Sequence, residues 1–266
     1  MSKSVNDLWS VRLRLSVTGA VCALLLAACV HTTPHQAPPD PKNAAIANLQ
    51  LGSAYMNQGE LQLAKDKLDK ALTQDPNNPE VHSVRAMLFE RMGQPAKADA
   101  EYRTALRLAP NDPNVINNYA VYLCQNGRTD EGVKHFLLAA KNALYRTPEA
   151  AYTNAGVCLR AAKPPRDEEA RGDFVKALQL RPDFADAAYQ LADLEFQHGE
   201  LPQSRALLDA YLANFRETPD ILLLAVRVAR AQNDRVGAQR YARKLQMDFP
   251  GSDQVRALAG LDHNPG

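Results

Sequence analysis

Pro76 and Pro110 stand 34 residues apart and close the same kind of segment. The first is Ala71-Leu72-Thr73-Gln74-Asp75-Pro76 and the second Ala105-Leu106-Arg107-Leu108-Ala109-Pro110, with a third copy at Ala177-Leu178-Gln179-Leu180-Arg181-Pro182. Between these ends lie glycine or polar turns: Gln58-Gly59, Gly93-Gln94, Asn126-Gly127, His198-Gly199 and Asn233-Asp234. Such a period holds two helices and their connections. No single unit of this size can bury its own apolar face, so the chain must stack units into one array. Proline ends the second helix of a unit, because it lacks an N–H and clashes with the preceding turn. The regular turns exclude an uninterrupted coiled coil.

The order Leu51-Gly52, Tyr55, Ala64, Leu68, Ala71, Pro76 resembles the tetratricopeptide repeat. Six repeats are predicted, over 45–78, 79–112, 113–148, 149–184, 185–218 and 219–252, together an all-α, right-handed superhelical solenoid. Small residues are expected where the two helices of a repeat cross: Gly52, Ala86, Ala120, Gly156, Ala192 and Val226 on first helices, and Ala64, Ala98, Gly132, Ala170, Ser204 and Ala238 on second helices. Repeat three carries two extra residues near Tyr145-Arg146-Thr147-Pro148. Repeat four carries two in its internal turn, Lys163-Pro164-Pro165-Arg166-Asp167-Glu168. Residues 253–266 are expected to supply a capping helix over Val255, Leu258 and Leu261.

The N-terminus has its own pattern. Lys3, Arg12 and Arg14 precede an apolar run from Leu15 to Leu26 that is too short to span a bilayer comfortably. Leu26-Ala27-Ala28-Cys29 then resembles the bacterial lipobox. Residues 1–28 are thus predicted to be a removed signal peptide. Cys29 is the predicted lipidation site, its covalent lipid being the only added group expected. Residues 29–44, with Pro34, Pro38, Pro39 and Pro41, read as an extended tether. Val30 is not the aspartate that retains enteric-type lipoproteins in the inner membrane. The resemblance therefore implies anchoring to outer-membrane lipid, facing the periplasm.

Removing residues 1–28 takes away Lys3, Arg12, Arg14 and Asp7 and leaves 28 basic against 29 acidic side chains. A balance this close to neutral argues against a nucleic-acid partner. The histidines, His31, His35, His82, His135, His198 and His263, lack His or Cys neighbours at metal-ligand spacing. No phosphate-binding glycine loop or nucleophile elbow occurs. The reading is of a non-enzymatic, monomeric protein with no cofactor, metal or small-molecule substrate. Beyond the anchor, Cys124 and Cys158 form an even pair in an oxidising compartment. They fall on neighbouring first helices and are expected to bond, the alternative being two buried thiols.

First helices line the inside of such a superhelix, so repeat positions 2, 5, 6, 9, 12 and 13 are expected to face a partner-binding groove. Ile46, Leu49 and Met56 fall there in the first repeat, where residues 30–44 folding back are the alternative occupant. Asn118 and Asn154 recur at position 6, and an amide both donates to and accepts from an extended peptide backbone; local capping would also use them. Tyr189 and Phe196 follow in the fifth repeat. Arg227 and Arg230 in the sixth suit an acidic partner or a solvated face.

Three blocks go beyond the general repeat. Asn117-Asn118-Tyr119-Ala120-Val121-Tyr122-Leu123-Cys124-Gln125-Asn126-Gly127-Arg128 is followed by Tyr145-Arg146-Thr147-Pro148-Glu149 and Asn154-Ala155-Gly156-Val157-Cys158. With the lipobox, these resemble the type IV pilus biogenesis lipoproteins of the PilF/PilW pilotin type. The resemblance implies an outer-membrane lipoprotein that helps the pilus secretin localise and multimerise, supporting pilus assembly and twitching motility. Scaffolds for outer-membrane protein insertion or for cell-wall enzymes remain alternatives. Lys163-Pro164-Pro165 departs from that family's glycine turn, and the sixth repeat is degenerate.

Overall fold

The computed structural model describes residues 40–263. The signal segment, Cys29 and the tether as far as residue 39 lie outside the described residues. Thirteen α-helices and no strand occur among those described: α1 Pro41–Asn57, α2 Leu61–Gln74, α3 Pro79–Arg91, α4 Pro95–Leu108, α5 Pro113–Gln125, α6 Thr129–Ala140, α7 Pro148–Arg160, α8 Asp167–Leu180, α9 Ala185–Gln197, α10 Leu201–Asn214, α11 Pro219–Ala231, α12 Arg235–Asp248 and α13 Asp253–His263. The first helix begins at Pro41, four residues inside the stretch read as tether. Proline at N1 needs no N–H and presets φ, so the helix starts there.

The boundaries have local causes. Asp75, Ala109 and Arg181 each precede a proline and sit at φ/ψ of −141/84°, −136/71° and −143/93°, outside the helical region. Clash with the proline ring drives them there and stops the helix. First helices restart on caps: the Asn78 side chain accepts from the backbone N–H groups of Glu80 and Val81, and Asp112 from Asn114. Inside the repeats, Gly59, Gly93, Gly127 and Gly199 have φ between 68° and 82°, with Asn233 at 60°. Each closes a Schellman turn, the next N–H returning to a carbonyl of the finished helix, as Glu60 does to Tyr55 and Asp234 to Ala229. The fourth repeat has no such residue and spends Ala161 to Arg166 on its turn.

Within repeats, the crossing residues are buried as a set: Gly52, Ala86, Ala120, Gly156, Ala192 and Val226 face Ala64, Ala98, Gly132, Ala170, Ser204 and Ala238. Larger side chains surround them, including Leu68, Tyr102, Phe136, Phe174 and Leu208. From α3 onward each first helix also touches the next first helix, whereas successive second helices do not touch one another. The first helices therefore line the inner, concave side of a curved solenoid and the second helices its outer side. Val255 and Leu258 of α13 pack into the last core cluster, with Leu224, Ala238 and Leu245.

Candidate functional site

The concave face is best read one repeat position at a time. Position 9 runs Ser53, Met87, Val121, Val157, Asp193, Arg227 through the six repeats. Met87 and Val121 are half-buried and Val157 is 40% exposed, so repeats two to four expose an apolar row. Amides border it. Asn118 Nδ2 makes one long bond, 3.3 Å, to Ser83 Oγ. The Asn154 side chain makes none among the described residues, and Asn117 Oδ1 is buried without a donor. A shallow cleft between α3 and α5 is lined by Met87, Glu90, Arg91, Asn118, Val121 and Gln125. Burial raises the Glu90 carboxyl pKa, against the lowering effect of the Tyr102 hydroxyl, which donates to Glu90 Oε1 at 2.6 Å.

Farther along, the row becomes ionic. Arg160 of α7 donates to Gln190 Oε1 at 3.0 Å and to Asp193 Oδ2 at 3.1 Å, both on α9. Gln197 donates to the same carboxylate at 2.7 Å, and Arg227 of α11 lies 4.0 Å from it. The Arg227 guanidinium also sits 4.9 Å from the centre of the Phe196 ring. Asp193 is thus a buried carboxylate held between two arginines from the first helices on either side of its own. Tyr189 stands beside this group, its hydroxyl pKa raised chiefly by burial and then by Asp193.

The expected groove residues divide. Ile46 is surface-accessible, Asn118 and Asn154 border the apolar row, and Tyr189 and Phe196 are half-buried against the C-terminal core. Arg227 belongs to the ionic cluster, and Arg230 is exposed on α11. Leu49 and Met56 are a correction: at 4% and 3% exposure they pack with Ala64, Leu68, Ala71, Val81 and Leu88 and offer a partner nothing. These side chains turn into the core between the first repeat and α3 and meet Val81 and Leu88 there. Met87, Val121 and Val157 were missed as a unit, although aligning position 9 across the repeats exposes them.

Cys124 of α5 and Cys158 of α7 are joined by a disulfide, with Cα atoms 5.6 Å apart. It ties the two first helices on their interior side, facing α6, where Cys158 packs with Ala120 and Phe136. Gly132 makes room for it, since a Cβ there would lie 2.3 Å from Cys124 Sγ.

Tetratricopeptide repeat family models match residues 45–78, 79–112, 101–134 and 168–227. The type IV pilus assembly protein PilF of Pseudomonas aeruginosa is 32% identical over 210 residues, covering 79% of this chain and 82% of that protein. The solved structure of Pseudomonas aeruginosa PilF aligns with a TM-score of 0.65 at 29% identity, over 83% of this chain and 98% of its own. That of PilW, described as a widely conserved type IV pilus biogenesis factor, aligns with a TM-score of 0.64 at 27% identity, over 81% and 98%. The repeat architecture and the similarity along both chains agree: this protein belongs to the PilF/PilW family of type IV pilus tetratricopeptide repeat proteins.

Proposed function

We propose that the protein is a non-enzymatic pilotin that holds a segment of the type IV pilus secretin in its concave groove. In doing so it promotes the secretin's localisation and multimerisation in the outer membrane. The observation that carries this reading is the apolar row Met87, Val121 and Val157, bordered by the Asn154 amide, which has no partner among the described residues, and by the Asn118 amide, whose one bond is long. Apolar side chains of a partner segment would bury against the row, and the amides would pair with its backbone. Family membership supplies the setting: PilF is a type IV pilus assembly protein and PilW a type IV pilus biogenesis factor. Binding needs no chemistry. Among the described residues no group of His, Cys, Asp and Glu is placed to hold a metal, and no helix is long and apolar enough to cross a membrane. Acylation at Cys29 is the anchor in this reading, each buried CH₂ contributing about 0.8 kcal/mol.

The test is deletion of the gene, followed by gel analysis of unheated membrane extracts probed for the secretin. The high-mass secretin multimer should vanish and return with the wild-type gene, and Cys29→Ser should fail to restore it. Intact multimers in the deletion strain would reject the reading.

A further inference from the structure

At each of the five junctions between repeats, the second helix turns repeat position 21 toward the repeat that follows. These residues are Lys65, Asp99, Val133, Arg171 and Arg205, and none of them is exposed. Position 21, or position 25 one turn on, usually carries a polar bond across the junction. Asp69 pairs with Arg85 at 3.1 Å, Asp99 with Arg128 at 2.9 Å, Arg171 with Glu195 at 2.8 Å and Arg205 with Asp234 at 3.0 Å. At the third junction position 21 is apolar instead, with Val133 against the Leu159 and Phe174 cluster, and the ion pair that crosses it, Asp130 to Arg166 at 2.6 Å, lies near the turns.

In the sixth repeat these positions are Gln239 and Arg243 of α12. Both are exposed, and neither side chain has a hydrogen bond or ion pair among the described residues. Val236 and Met247 extend the same stripe and are 79% and 77% exposed. Arg240 and Lys244 flank it and, with Asp248 at one end, complete a shallow concavity with the other four; Lys244 is already paired with Glu217 at 2.8 Å, which leaves Arg240 and Arg243 as the cations open to a partner. From Arg235 to Met247 the helix holds four cations and no carboxylate, in a chain with 31 basic and 30 acidic residues. The capping helix α13 packs through Val255 and Leu258 and leaves this stripe open.

We propose that this face of α12 docks an acidic amphipathic helix from a partner protein, stacked as a further repeat would be. Charge selects the partner. Carboxylates on the incoming helix would meet Arg243 and Arg240, as carboxylates meet arginines at four of the internal junctions, while its apolar residues would cover Val236 and Met247. A second copy of this chain is a poor fit. Its first helix, Pro41–Asn57, holds one lysine and no carboxylate, and α12 against α12 would oppose like charges. The proposal is independent of the groove and of what the groove holds.

A benzophenone amino acid at position 239 of the full-length, acylated protein, photolysed in the cells that make it, tests the contact. The crosslinked peptide is then sequenced by mass spectrometry. The expected product joins position 239 to a segment of another protein with helical apolar periodicity and carboxylates on one face. Arg243→Glu, with unchanged circular dichroism, should lower its yield roughly tenfold. A crosslink to lipid, to a second copy, to the same chain or to a segment without carboxylates would overturn the proposal. So would no crosslink, or a yield indifferent to Arg243→Glu.

Discussion

At Gly156 a Cβ would stand 2.4 Å from Phe174 Cε1, far inside contact distance, and Phe174 is fully buried with no room to retreat. Gly156→Ala should therefore cost about 1–3 kcal/mol, the usual range for overpacking, read as a lower urea midpoint with an unchanged slope. Ala120 and Ala192, at the same position in other repeats, show that the limit comes from the facing ring and not from the helix. Asp173 poses the opposite problem. It is half-buried on α8, has no hydrogen bond or ion pair among the described residues, and its pKa is raised to about 6 by burial and then by Glu169. An aspartate whose folded pKa lies above its unfolded value binds more protons when folded, so stability falls as pH rises from about 4 to about 6. Asp173→Asn should stabilise the protein at pH 8 by about 1 kcal/mol after solvent screening, and should have no effect at pH 3.5. Thermal unfolding at the two pH values checks the sign.

Among the elements, the pair α5 and α7 is distinctive because a covalent bond joins two first helices that would otherwise meet only through packing. The bond closes a loop with a sequence separation of 34 residues, for which the chain-entropy model gives about 3–4 kcal/mol. Cys124→Ser with Cys158→Ser should lower the melting temperature accordingly, and a reducing agent should lower that of the wild type by a similar amount while leaving the double variant unmoved. The pairing was legible from repeat register, which puts the cysteines on adjacent first helices. The helix boundaries were legible too: prolines, capping asparagine and aspartate, and left-handed glycines act within a few residues of themselves. The start of α1 at Pro41 was not, since four prolines in one stretch read as extended chain although the last of them suits a helix N1 position.

Over the whole array, the concave face changes character from an apolar, amide-bordered row in repeats two to four to an ionic cluster in repeats four to six. Val157 belongs to that row and is partly exposed, so Val157→Asp should change stability by less than about 0.5 kcal/mol. It should nevertheless reduce secretin multimers on the unheated gel, and normal multimers would move the binding site away from the row. Asp193→Asn is the contrasting variant. It leaves Arg160 and Arg227 facing a neutral side chain in a buried position, and it should destabilise the C-terminal repeats by about 3 kcal/mol, seen as a loss of cooperativity in unfolding.

The sequence by itself determined the periodic part of this protein: six helix pairs, the small residues at their crossings, and the turns between them. Those features depend on contacts within one repeat length, and the same residue types recur at the same spacing. The tertiary structure decided which repeat positions reach solvent. Leu49 and Met56 occupy groove positions by register, yet they pack into the core shared with Val81 and Leu88 of the next repeat, while Val157 at an equivalent face stays accessible. The same holds for Asp193 between its two arginines and for the open stripe of α12. Each depends on what the neighbouring repeat places opposite, and a residue's position within its own repeat carries no information about that.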